Sequence, residues 1–133
     1  MNRYFRTTVI IVAVTIAMLT GAAYPIDSES QKYPDVTGVK VQARGRNIFD
    51  FDITISSPYD NPRRYADAFR VTGTDGVPYG ERQLLHDHAD EQPFTRDLYG
   101  VYIPPGVSTV VVQARDKKHG YGGKSVQIVV PKQ

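Results

Sequence analysis

The residues from Phe49 to Ile55 alternate without a break. Phe49, Phe51, Ile53 and Ile55 are apolar, and Asp50, Asp52 and Thr54 between them are polar. Period-two alternation puts every apolar side chain on one face of a pleated strand and every polar one on the other. Wound as a helix, the same residues would scatter around the axis. The stretch can bury its apolar atoms together only as a strand in a sheet with one covered face. Val39, Val41 and Ala43 alternate in the same way with Lys40, Gln42 and Arg44. So do Val110, Val112 and Ala114, and then Val126, Ile128 and Val130. Beyond the N-terminal stretch, no window repeats apolar residues at i, i+3, i+4 and i+7 over three turns, and almost no helix is expected there.

Turn chemistry divides the chain. Gly45-Arg46-Asn47 joins the first two strands. A third strand is expected from Ala66 to Thr72, and Thr74-Asp75-Gly76 is a hairpin signal leading into a fourth, Val77 to Leu85. Leu98 to Ile103 is the fifth, closed by Pro104-Pro105-Gly106, and Lys117–Gly123 turns between the last two. Seven short strands spaced about 8 to 15 residues apart predict an all-β fold, a seven-stranded antiparallel β-sandwich of the immunoglobulin or fibronectin type III kind, over residues 36–133.

The ending from Pro105 to Pro131 (PGVSTVVVQARDKKHGYGGKSVQIVVP) resembles the closing hairpin of bacterial fibronectin-type domains. The stretch LLHDHADEQPFTR is similar to part of small exported bacterial proteins with such sandwiches. Together the resemblance covers residues 66–131. It implies a sandwich and an exported setting, and it carries no active site to transfer. The Cys…Trp…Cys framework of antibody domains is missing, since the chain has neither residue.

The N-terminus has the three parts of a cleavable export signal. Arg3 and Arg6 form a positive region, Thr7 to Thr20 is uncharged and mostly apolar, and Gly21-Ala22-Ala23 supplies small residues for cleavage. The apolar run is short of the roughly 20 residues that span a bilayer. Residues 1–23 are therefore read as a signal peptide and 24–35, polar and with two prolines, as a flexible leader. The mature chain is expected in the periplasm or outside the cell, with no membrane span after processing. No cysteine is present for lipid attachment or disulfides, so the core must hold the domain unaided.

Processing also changes the charge. The full chain has 16 Lys+Arg against 14 Asp+Glu, and loss of Arg3 and Arg6 leaves the two signs equal. A nucleic-acid binder needs a basic surplus to neutralise phosphates, so no nucleic-acid partner is expected. Both methionines, Met1 and Met18, lie in the signal, and the mature chain has no sulfur.

Antiparallel connectivity alternates connections between the two ends of a sandwich. It gathers Ser57–Tyr65, His86–Asp97 and Lys117–Gly123 at one end, with all three histidines, both basic pairs and the densest acidic patch. Function on such scaffolds sits mainly in loops. Tyr59, Tyr65 and Tyr121 with Arg63, Arg64 and Arg96 are residue types enriched in binding hot spots, and they suit a protein, peptide or glycan partner of a monomeric domain. The plainer reading packs these tyrosines over the mouth of the sandwich and leaves the arginines solvated.

His86-Asp87-His88, at the end of the fourth strand, would point both imidazoles to one face about 6.6 Å apart. With His119 and a carboxylate from Asp90 or Glu91, they would make a metal site for Zn, Cu(II) or Ni(II). The absence of sulfur disfavours Cu(I). Against this, exposed loop histidines beside acids commonly cap turns. Phe94, in an otherwise polar loop, reads as a plug that tucks the loop onto the core. Asp87 and Glu91 could act as paired carboxylates of a hydrolase, but no G-x-S-x-G, H-E-x-x-H or phosphate-binding loop accompanies them. The expected function is a non-enzymatic binding or accessory domain of the cell envelope, with no resident cofactor unless the histidines hold a metal.

Overall fold

Seven strands run Asp35–Gly45 (β1), Ile48–Ser56 (β2), Ala66–Gly73 (β3), Pro78–Gln83 (β4), Phe94–Tyr102 (β5), Thr109–Asp116 (β6) and Gly120–Val129 (β7) in a computed structural model that describes residues 31–133. The expected signal peptide and residues 24–30 of the leader lie outside the described residues. The strands form two antiparallel sheets, of order β1-β2-β5 and β4-β3-β6-β7. There is no helix among the described residues, and so none long and apolar enough to cross a membrane.

The alternating side chains of β2 are the centre of the core. Phe49 is 3% exposed, and Phe51, Ile53 and Ile55 are fully buried. They meet Phe69 and Val71 of β3, Val110, Val112 and Ala114 of β6, and Phe94 and Val101 of β5. The β1 row, Val39, Val41 and Ala43, is only half-buried because β1 is an edge strand, and it packs on the same cluster as Val126 and Ile128 of β7. Edge strands of the two sheets lie side by side, β1 against β7 and β4 against β5. Arg82 of β4 donates to the Asp97 carboxylate of β5 at 2.6 Å across the second seam.

The β1–β2 turn needs two consecutive left-handed residues, and Arg46 and Asn47 have φ of 56° and 64°. Positive φ at both central positions gives the backbone twist that matches paired strands.

Three strands depart most from the sequence expectation. β4 ends at Gln83 rather than Leu85: the Leu84 amide still donates to the Asp67 carbonyl at 2.8 Å and Leu84 is buried, but Leu85 projects into solvent. His86-Asp87-His88 is consequently on a loop, not at a strand end. β5 begins at Phe94, where Phe94 and Thr95 pair with Ile55 and Thr54 of β2. Its alternation is hard to see because Arg96 takes the inward position after Phe94, at the edge of the sheet. β7 begins at Gly120, which shortens the last turn to Lys117–His119.

Candidate functional site

The loops 57–65, 84–93 and 117–119 meet at one end of the sandwich, and buried polar groups lock them together. Asp60, only 6% exposed, holds two loops with its carboxylate. One oxygen accepts the Ala66 amide and the other the His88 amide, both at 3.0 Å. Burial pushes the Asp60 carboxyl above the usual range against the hydrogen bonds that lower it. Gln92 bridges the same loops: its side-chain carbonyl accepts the Ser57 amide at 2.7 Å, and its NH2 donates to the His88 carbonyl at 3.0 Å.

The second lock is Asp116, fully buried at the end of β6. One of its oxygens accepts the Lys118 and His119 amides at 3.0 and 2.9 Å, and the other lies 3.3 Å from Arg64 Nε. The Arg64 guanidinium lies 4.0 Å over the Tyr59 ring and donates to the carbonyls of Gln31 and Lys32 at 2.6 and 2.7 Å. Arg64 thus ties the start of the described chain to two loops. Burial, with the Asp116 carboxylate beside it, raises the Tyr59 hydroxyl far above its usual range and keeps it protonated.

The segment from Gln31 to Asp35 crosses over β7 at this end. Gly122 makes the crossing possible: a Cβ there would stand 2.5 Å from the Tyr33 ring. The neighbouring Gly123 has a φ of 76° and passes under Pro34. Gly122 and Gly123, at the start of β7, therefore seat the residues before β1.

The expected binding residues divide. Tyr59 is buried and Arg64 is spent on the hub, so both build the site rather than face a ligand. Arg63 is exposed, and half-buried Tyr65 carries the Lys117 ammonium 4.9 Å from its ring centre. Arg96 pairs with Glu91 at 2.9 Å. Tyr121 lies on the outer face of the four-stranded sheet, paired in register with Arg115, under the Arg70 guanidinium at 3.8 Å, with its hydroxyl donating to Glu81.

The expected metal set is brought together only in part. The rings of His86 and His88 lie 4.8 Å apart, but His88 is buried and stacks on Phe94 at 4.1 Å with 11° between planes. The Nδ1 of His86 faces the Asp87 carbonyl at 2.8 Å. His119 packs edge-on against Tyr33, 6.1 Å between ring centres. Asp90 is exposed on its loop. Among the described residues no group of three or more His, Cys, Asp or Glu is arranged to hold a metal ion. The two acids considered for hydrolysis are also occupied, Asp87 in capping the Ala89 amide and Glu91 on Arg96. Phe94 is the plug expected of it, 1% exposed, although it belongs to a strand.

Asp60, Asp116 and Gln92 organise the site and were not singled out by sequence. Asp116 had a signal, since it continues the inward parity of Val110, Val112 and Ala114. A carboxylate at an inward position needs partners, and those partners are loop amides.

No family model matches the chain. The "Putative lipoprotein" of Halomicrobium mukohataei is 35% identical over 94 residues, 71% of this chain and 46% of that protein, so the chain spans less than half the length of this relative. A hypothetical protein from Pyrococcus horikoshii OT3 has a solved structure that superposes with a TM-score of 0.48 at 7% identity, over 75% of this chain and 88% of that one. A DUF3823 family protein from Bacteroides ovatus gives 0.43 at 18% identity, over 74% and 56%.

Proposed function

We propose that the chain is an exported, non-enzymatic binding or accessory domain of the cell envelope, periplasmic or secreted, acting through the loop end of an immunoglobulin- or fibronectin type III-like sandwich. Export rests on the Arg3/Arg6 region, the short apolar run and Gly21-Ala22-Ala23, and the name of the Halomicrobium relative points to the same compartment. The observation that carries the binding reading is the pair of buried carboxylates, Asp60 and Asp116, that fix three loops and the incoming chain at one end. A fold gains little from burying charge for its own sake. Loops fixed in advance lose less entropy on meeting a partner, which is what a recognition surface needs. The rim they hold includes the exposed Arg63, Lys117 and Lys118 and the half-buried Tyr65.

Mass spectrometry of the protein recovered from cells is expected to start at Ala23 or Tyr24. The same material should be retained by washed envelope fractions, and Arg63→Glu/Tyr65→Ser should abolish retention without lowering the urea midpoint. Intact Met1 in the membrane would overturn processing, and retention unchanged in the double variant would overturn the loop-end site.

A further inference from the structure

The rim of the loop end is sorted by charge. Lys32, Arg63, Lys117 and Lys118 are all exposed and all gather around the Arg64–Asp116 hub. Arg64 binds the Lys32 carbonyl, Arg63 is its chain neighbour, the Lys117 amide donates to the Tyr65 carbonyl at 3.0 Å, and the Lys118 amide donates to Asp116. The carboxylates nearest this side are already matched, Asp116 by Arg64 and Asp67 by Arg115. Asp87, Asp90 and Glu91 stand on the neighbouring loop. Among the described residues none of these four ammonium or guanidinium groups forms an ion pair, although the mature chain as a whole is balanced.

Two further features share this end. Leu85 is 85% exposed, the most open large apolar side chain among the described residues. The first described residues also lie here, Gln31 and Lys32, whose carbonyls Arg64 holds. Basic side chains, an amphipathic tyrosine and a projecting leucine form the combination that settles at a lipid headgroup layer.

Building on the loop-end binding reading, we propose that the partner of this end is an anionic phospholipid surface, met peripherally by Lys32, Arg63, Lys117 and Lys118 with Leu85 entering the headgroup layer. A soluble polyanion offers the same charge but nothing for Leu85 to enter.

The test is sedimentation of the processed protein with phosphatidylcholine vesicles, with and without phosphatidylglycerol, alongside binding to soluble polyphosphate. Partition onto the anionic vesicles alone is expected, weakening as salt rises. Each neutralised basic residue should cost about fivefold, so R63Q/K117Q/K118Q loses about a hundredfold. Leu85→Ser should weaken vesicle partition several-fold and leave polyphosphate binding unchanged. Urea midpoints equal to the parent's show that the variants fold. Equal partition onto neutral vesicles, or polyphosphate binding without vesicle binding, would overturn the lipid surface. Retention by envelope fractions with no vesicle binding overturns it too and leaves the binding module standing; loss of both overturns the two readings together.

Discussion

Arg64 has four partners: the Tyr59 ring, the Asp116 carboxylate and two backbone carbonyls of the entering chain. In sequence it is one of a basic pair on a loop, indistinguishable from Arg63. Apart from Tyr59, its partners lie 52, 33 and 32 residues away in the chain, so no local pattern could reveal them. Arg64→Met should destabilise the domain by about 3 kcal/mol, the low end for breaking a buried pair, because Asp116 keeps its two amide donors. Arg64→Met/Asp116→Asn should recover part of that loss, since the buried charge goes with the second change. Urea denaturation of the four proteins of the cycle measures both. His88 offers a second check. Burial first, then the nearby Arg96 and His86, lower its basicity, against the opposing pull of Asp60 and Glu91. The folded state then refuses a proton that the unfolded chain accepts. The stability this contributes is complete above about pH 6.5 and is lost as pH falls through the depressed value. Asp60 works in the opposite sense, since its raised carboxyl contributes most in acid and loses that contribution as pH rises through its folded value. Thermal melts from pH 7.5 to 5 should show a decline that is shallower in His88→Gln.

At the level of elements, the strands were legible wherever both faces declared themselves. β1, β2, β6 and the end of β7 carry clean alternation, because one face meets the core and the other meets water. β5 was legible only from Leu98 onward, since Arg96 occupies an inward position at an edge where its charged head still reaches Glu91. The site was legible as a place rather than as a mechanism. Alternating connections put three loops at one end, but which residues would be consumed in joining those loops depends on tertiary contacts. Gly122 shows how such contacts hide in composition. It looks like hairpin chemistry, yet it is there to let Tyr33 cross. Gly122→Ala should therefore cost about 1–3 kcal/mol by overpacking. The loss should be smaller when Tyr33→Ala removes the ring, a reversal that a simple turn defect would not show. Limited proteolysis should then cut before β1 in Gly122→Ala sooner than in the parent.

For the whole molecule, the core is one layer between two sheets, with no disulfide beneath it. Phe51→Ala empties its centre and should cost about 3–5 kcal/mol, a large share of the stability of a domain this small. Equilibrium unfolding in urea, followed by far-UV circular dichroism, would measure it. The two ends of the described chain are also held at opposite ends of the sandwich. Gln31 is gripped by Arg64 among the loops, while Gln133 accepts the Asn47 amide at 2.7 Å beside the β1–β2 turn. β1 leaves the first of these points and β7 runs toward the second, so a pull between them acts along both strands at once. Such a load shears the β1–β2 and β6–β7 ladders, straining all their hydrogen bonds together instead of opening them singly. Tension applied between these two points would therefore meet the domain in its strongest direction. In single-molecule extension, attachment at residues 31 and 133 should need more force to unfold it than attachment at residues 31 and 58, where the same β1–β2 ladder would unzip one bond at a time.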